Sequence, residues 1–411
     1  MKKDTYKVYG YRWIVLVAFM VIVAVNQLLW ITFAAITGDA AKFYGVSDLS
    51  IGILSMCFMI VYLFISIPAS WAIDTYGLRL GVGIGAALTG IFGLMRGLVA
   101  ESYTWVLVAQ IGIAIGQPFL LNAVTTVAAR WFPVNERATA SGLGSLAMYL
   151  GILLGLVLTP YLALHAGIVH MLVAYGIAAV VAALLFFGFA KERPATPPCP
   201  PGMEVRSLVL DGLKQTFRER NFILLMVIFF IGLGAFNSVT TWIEDILRPR
   251  GFTSTQAGLV GGLMIAGGIV GALVLPTLSD RFRKRAPFIL AAIGGATVGL
   301  VGITYSTAYW LLLVAAFVLG FFLLSAGPIG FQYGAEVTYP TPEGTSNGLL
   351  LLMGQISGII FIFAMDSLKS PATGSMTVSL LALIVLLVLC LFLGARLKEP
   401  KALLTPGELP K

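Results

Sequence analysis

The 411-residue chain is 59% hydrophobic and only 11% charged. A soluble domain carries about 25% charged residues, so the composition excludes one and calls for a polytopic membrane protein set in the lipid bilayer. The net charge of +8 does not signal a nucleic-acid partner, because Lys and Arg sit in short loops between apolar runs, where they orient the chain.

A spanning helix needs about 20 apolar residues. Twelve runs qualify: Trp13–Ala35, Ile51–Ile73, Leu80–Ala100, Thr104–Ala129, Ala140–Leu162, Ile168–Ala190, Phe222–Ile243, Ala257–Leu278, Pro287–Tyr305, Trp310–Gln332, Gly348–Met365 and Met376–Ala395. The first is too long for a signal peptide and has no small-residue cleavage site behind it, so it is kept as a spanning helix. It holds Asn26, Gln27 and Trp30 in its outer half. An amide among acyl chains costs roughly 2–7 kcal/mol, so Asn26 and Gln27 are expected to face protein or a water-filled cavity. Trp30 either offers its ring to that cavity or serves as an interfacial anchor or packing group. Cys57, Cys199 and Cys390 lie far apart with no metal spacing, and a buried apolar role is expected for Cys57 and Cys390.

With the N-terminus placed inside, Lys42, Arg248, Arg250 and Lys369 are the basic residues left on outer segments, and Arg96 lies near the outer end of the third run. The remaining Lys and Arg fall on inner segments, so both termini are expected in the cytoplasm and the protein in a plasma or inner membrane. One inner loop is long. Its proline cluster, Pro194 to Pro201, makes an extended connector, and Val205–Phe217 reads as a short amphipathic surface helix. Residues 191–221 are therefore taken as a cytoplasmic linker between six-helix bundles over 1–190 and 222–411.

The halves echo each other. Asp74 and Asp280, each at the end of a run, are 206 positions apart, and Trp131-Phe132-Pro133 and Thr338-Tyr339-Pro340 are 207 apart. Two landmarks at almost one offset indicate a parallel internal repeat. Adding 207 to Trp30 gives Asn237, which puts the odd residue of each opening helix at one depth around a shared central cavity. Small-xxx-small pairs such as Gly151/Gly155 and Gly267/Gly271 let backbones approach closely, for rocking helices or for static packing. The expected fold class is an all-α membrane protein with twelve transmembrane helices in two six-helix pseudo-symmetric halves.

The loop after the second run carries Asp74, Gly77 and Arg79. With the two halves and the long inner loop, it resembles the major facilitator superfamily, whose loop there reads Gly-x-x-x-Asp-Arg-x-Gly-Arg-Arg; Ser70 and Thr75 depart from that pattern. The resemblance implies the major facilitator fold and gating residues Asp74, Gly77, Arg79, Arg137, Asp280 and Arg281, where Asp74 and Arg79 pair with a helix terminus or with Arg130 or Arg137 in one state and part in another. A solvated loop that only sets topology is the other reading.

A narrower likeness follows from Trp30-Ile-Thr-Phe33, Phe43-Tyr-Gly-Val-Ser47, Gln117-Pro-Phe119, Ala138-Thr-Ala140, Glu343-Gly-Thr-Ser346 and Gln355-Ile-Ser-Gly358. These stretches resemble the feline leukaemia virus subgroup C receptor family, whose characterised members carry choline and ethanolamine, with haem also proposed. The resemblance implies a choline site built from Trp30, Gln117 and Gln355. The family's Tyr on the seventh helix falls on Asn237, next to Phe236. A quaternary ammonium has no hydrogen-bond donors and is held by aromatic faces worth about 0.5–2 kcal/mol each, while Gln117 and Gln355 suit a hydroxyl or carboxylate. Each Gln has an alternative use: a helix–helix hydrogen bond of about 0.6 kcal/mol, or, for Gln117, a backbone group freed by Pro118. Glu244 and Asp245 either draw a cation to the mouth or form a solvated loop with Arg248 and Arg250.

Haem and zinc are disfavoured, since His165 and His170 are expected in an outer loop, and no cofactor is expected. No acid or His lies in mid-span, which favours facilitated diffusion or drive by the membrane potential. The expected function is a monomeric secondary transporter of a small polar solute, a choline-like amine first, by alternating access. A proton-driven exporter of drugs or metabolites is the alternative within transport. A receptor or scaffold that moves nothing is the alternative of another class, and with no nucleophile–base pair an enzyme is not expected.

Overall fold

The computed structural model describes residues 7–133, 136–198, 217–338 and 343–399. Cys199, Tyr339, Pro340 and all but the last residue of the expected surface helix lie outside that set. The described residues form helices and no strand: α1 (Arg12–Ile31), α2 (Thr37–Tyr44), α3 (Asp48–Tyr76), α4 (Leu78–Leu98), α5 (Tyr103–Leu121), α6 (Val124–Trp131), α7 (Arg137–Phe189), α8 (Arg220–Thr241), α9 (Ile243–Leu247), α10 (Ser254–Phe282), α11 (Ala286–Tyr305), α12 (Tyr309–Thr338), α13 (Glu343–Ser367) and α14 (Thr377–Gly394). Short 3₁₀ turns, Ala34–Ile36 and Arg248–Arg250, follow α1 and α9.

The helix α7 has 53 residues, about 80 Å at 1.5 Å per residue, far more than the ≈ 30 Å hydrocarbon core. It is two spans meeting at Gly167, whose backbone (φ 81, ψ 160) leaves the helical region. With that break the expected twelve spans are present among the described residues. The expected outer loop with His165 and His170 is not: both are exposed and sit in helical turns flanking Gly167, with Nδ1 2.8 Å and 3.0 Å from the carbonyls of Tyr161 and Ala166. A glycine that can adopt positive φ makes a connecting loop unnecessary.

The chain separates into two compact units, Met1–Ser207 and Leu208–Lys411. Their internal packing repeats. In the first unit α1 lies against the first arm of α7, α3 and α4 against α5, and α4 against the second arm of α7; in the second, α8 lies against α13, α10 and α11 against α12, and α11 against α14. Glycines set these approaches. A Cβ on Gly151 would strike the Ala24 carbonyl, and one on Gly271 the Phe321 carbonyl.

Local chemistry repeats at a spacing of 206 as well. Gly45 and Gly251 both take the left-handed conformation (φ 65 and 84). Ser47 and Thr253 cap α3 and α10 by accepting from the amides of Ser50 and Gln256, both at 3.2 Å. The Tyr103 and Tyr309 hydroxyls donate to the carbonyls of Ser50 and Gln256. Before Gly45 the register shifts, because the stretch from the broken helix to that glycine is shorter in the second unit. Trp30 is one residue from the end of α1, whereas Asn237 is four residues from the end of α8. Measured from the ends of their own helices, the two positions differ by about a helical turn.

Candidate functional site

We call the end of each unit where α1 or α8 begins basal, and the other end distal. Distally, α1 stops at Ile31, and a helix that stops leaves its last carbonyls without amide donors. Side chains fill those places. Thr32 Oγ1 donates to the Leu28 carbonyl at 2.8 Å, and the Leu29 carbonyl accepts from an Arg96 guanidinium nitrogen at 2.9 Å and from Gln110 Nε2 at 3.2 Å. Trp30 donates its indole N–H to the Ser55 carbonyl at 3.1 Å. The indole is 6% exposed; its polar edge is committed to α3 and only the ring face is left for recognition.

The neighbouring amides divide into used and unused. Asn26 donates to Thr89 Oγ1 at 3.1 Å, and Gln27 donates to Asn26 Oδ1 at 3.4 Å, so both face protein. Asn122, between α5 and α6, accepts from the Tyr62 hydroxyl at 2.8 Å and donates to Ser66 and Ser70; this clamp interrupts the single run expected over Thr104–Ala129. Gln117 lies two turns from Gln110 on the same face of α5. It is 5% exposed and makes no hydrogen bond within the described residues, so it does not serve the backbone group opened by Pro118.

In the second unit, Asn237 Nδ2 donates to the Gly354 carbonyl at 3.1 Å, which brings it beside Gln355. Phe236 is buried next to it. Gln355 is half-buried and makes no hydrogen bond within the described residues. Distally, Glu244 and Asp245 are not a solvated loop. They are buried at 2% and 0% exposure. Arg248 pairs with both, and Lys369 Nζ lies 2.7 Å from Asp245. Arg250 instead donates to the Ile303 carbonyl of α11.

Basally, the predicted gating residues take different parts. Asp74 and Arg281 are exposed and form no ion pair within the described residues. Arg137 donates to the carbonyls of Phe132 and Ala129. Gly77 ends α3 at φ 94, and a Cβ there would run into the Glu192 carboxylate. Glu192 accepts from the amides of Leu78 (3.0 Å) and Arg79 (2.7 Å), capping α4, and pairs with Arg130. Glu399 does the same for α11, accepting from the amides of Arg285 (2.9 Å) and Ala286 (3.1 Å). Asp280 pairs with Arg285, which also holds Glu336 at 3.1 Å. Burial opposes the Arg285 charge, but the hydrogen bonds to Glu336 and Asp280 outweigh it and raise its pKa above the usual value.

Comparison with known proteins places this architecture. The description of the Major Facilitator Superfamily matches residues 9–362. The chain belongs to that superfamily and is a multi-pass membrane transporter. Solute carrier family 49 member A3 of Xenopus tropicalis is 31% identical over 389 residues, covering 90% of this chain and 80% of that protein. The choline/ethanolamine transporter FLVCR2 of Homo sapiens is 29% identical over 377 residues, covering 86% and 71%. The crystal structure of a bacterial homolog of the human lysosomal transporter Spinster superposes with a TM-score of 0.77 at 18% identity, over 97% of this chain and all of that one. Both resemblances drawn from the sequence, to the superfamily and to the feline leukaemia virus subgroup C receptor family, hold.

Within this facilitator, sequence reasoning missed three features. Arg96 was read only as part of a charge count. Glu192 and Glu399 were overlooked, although Lys191-Glu192 and Lys398-Glu399 sit 207 positions apart and carry the signal. Asn122 passed as an ordinary residue of an apolar run. The expected buried roles of Cys57 and Cys390 hold.

Proposed function

We propose that this transporter carries a small choline-like amine by alternating access, as a monomer in a plasma or inner membrane with both termini cytoplasmic, and that it catalyses no covalent chemistry and engages no nucleic acid. The observation that carries the reading is the division among the amides of its helices. Asn26, Gln27 and Asn237 donate within the protein, whereas Gln117 and Gln355 do not. The amide atoms of Gln117 and Gln355 are not among the sealed, unsatisfied groups of the described residues, so their donors and acceptors are open to water or a ligand. In the first unit an amine with a hydroxyl suits Gln117 and the ring face of Trp30; in the second, Gln355, Asn237 and Phe236 are the proposed substrate-binding residues. Phe236 adds an aromatic surface beside Asn237. The gating set Asp74, Gly77, Arg79, Arg137, Asp280 and Arg281 belongs to the basal end in the same proposal, with Gly77 and Asp280 acting through the local contacts described.

Uptake of labelled choline into proteoliposomes tests it. Saturable uptake by the native protein is expected, with affinity reduced about tenfold in Trp30→Ala, the order set by a desolvated cation–π contact of about 1–2 kcal/mol. Equal and non-saturable uptake by both proteins would remove the amine as substrate.

A further inference from the structure

Arg96 is completely buried in α4, 0% exposed. Among the described residues no carboxylate pairs with it. Its guanidinium donates to the Leu29 carbonyl (2.9 Å), Gln110 Oε1 (2.8 Å) and Thr32 Oγ1 (3.3 Å). The Phe33 ring lies 5.7 Å from its centre, and its Nε has no partner. A charge held in a spanning helix without a counter-ion is costly, and an apolar side chain of similar size would fill the space without that cost. What the guanidinium supplies is a rigid fork of donors carrying positive charge, delivered to the end of a helix whose terminal carbonyls present partial negative charge.

The place of delivery is specific. Leu29 precedes Trp30 in the last turn of α1, and Thr32 follows it. Gln110 takes part twice, accepting from Arg96 and donating to the same Leu29 carbonyl. Trp30 is thus gripped from two sides: by its own indole and carbonyl on Ser55, and by its flanking residues on Arg96 and Gln110. The first grip orients the ring; the second fixes the backbone from which the ring projects. Nothing equivalent reaches Asn237, which lies a turn inside α8.

We propose that Arg96 is a positioning residue for substrate recognition: it locks the broken end of α1 and so sets the angle at which Trp30 presents its ring. The role of Trp30 in that statement rests on the function proposed above; the locking of α1 does not. Being fully buried, Arg96 acts through Trp30 and does not touch the substrate.

The test separates the two. The chain has seven tryptophans; labelled as 5-fluorotryptophan, each gives one fluorine resonance, and that of Trp30 is identified by its loss in Trp30→Phe. In Arg96→Gln the Trp30 resonance is expected to move or broaden more than any other, and Arg96→Lys, which keeps the charge, to restore part of its position. A Trp30 resonance unmoved in a folded Arg96→Gln protein, or all seven resonances moving alike, overturns the proposal without any ligand being involved. Should Arg96→Gln not fold, Gln110→Leu removes the partner shared with Arg96 and is expected to move the same resonance by less; no movement there also overturns it. With choline as the probe, Arg96→Gln is expected to raise KM about tenfold while kcat stays within about twofold, and to add nothing further in a Trp30→Phe background. KM effects that multiply would show Arg96 acting independently of Trp30. Absence of choline uptake by the native protein would sink the substrate reading while the fluorine result still decides the positioning role.

Discussion

The basal hairpins Asp74–Arg79 and Asp280–Arg285 perform one task with different parts. Each ends a long helix, turns in one residue in the first unit and three in the second, and starts the next helix on a glutamate supplied from far along the chain. In the first unit the turn is Gly77 at φ 94; at the matching position the second uses Arg283 at φ 50. In the first unit Glu192 is the centre of the cluster, taking two amides and Arg130 while its carboxylate occupies the space in front of Gly77. In the second the centre is Arg285, with Asp280 and Glu336 on its guanidinium and Glu399 on its amide. The distal ends diverge further. The first unit drives a lone guanidinium from α4 into α1, and the second sends Arg250 from α8's side to α11 and neutralises its buried acids with Arg248 and Lys369. Backbone geometry is what the repeat keeps; the charges that satisfy it are assigned separately in each unit.

That contrast can be broken or sharpened by five substitutions read as melting temperatures of the purified protein in detergent. The largest effect is expected from Asp245→Leu, which leaves Arg248 and Lys369 facing a buried apolar group; removing one partner of such a pair costs about 3 kcal/mol, and a loss below that of every basal substitution would mean the distal acids are not the second unit's anchor. Gly77→Ala is expected next, at about 2 kcal/mol, because a side chain at positive φ is strained and Glu192 must give way. Melting unchanged in that variant would mean the hairpin re-forms around another cap. Glu192→Gln should lose about 1 kcal/mol, the usual scale of a helix N-cap with its charge, and more than Glu399→Gln, since only Glu192 also holds an Arg. The reverse order would make Glu399 the more heavily used acid. Arg283→Gly is the smallest, a gain of about 0.5 kcal/mol as the left-handed strain is relieved; a loss there would assign the Arg283 side chain a contact of its own.

The spans were legible because bilayer thickness imposes a length on each apolar run, and the repeat because Asp74 and Asp280 kept their spacing. The break at Gly167 was not, since a single glycine between two apolar runs reads like the middle of a short loop. The distance of Asn237 from the end of its own helix was hidden for a similar reason: a shorter connection in the second unit changes the register without altering any landmark beyond Gly45. Trp30 and Gln117 could be singled out from residue type, yet whether an amide is already bonded is a tertiary fact; nothing in the sequence distinguishes Asn26, tied to Thr89, from Gln117. Arg96 stayed hidden because its partners are one backbone carbonyl and the neutral side chains of Gln110 and Thr32, with no acid to announce the pairing.

Glu192 and Glu399 both reach main-chain amides, Glu192 holding the Arg130 side chain as well, and this bears on which substitutions the hairpins tolerate. A cap made to backbone amides does not depend on which side chains the capped residues carry, so the departure from the superfamily pattern at Thr75 leaves the cap itself in place. The group that fixes each hairpin lies 114 residues downstream, in a Lys-Glu pair outside the loop itself.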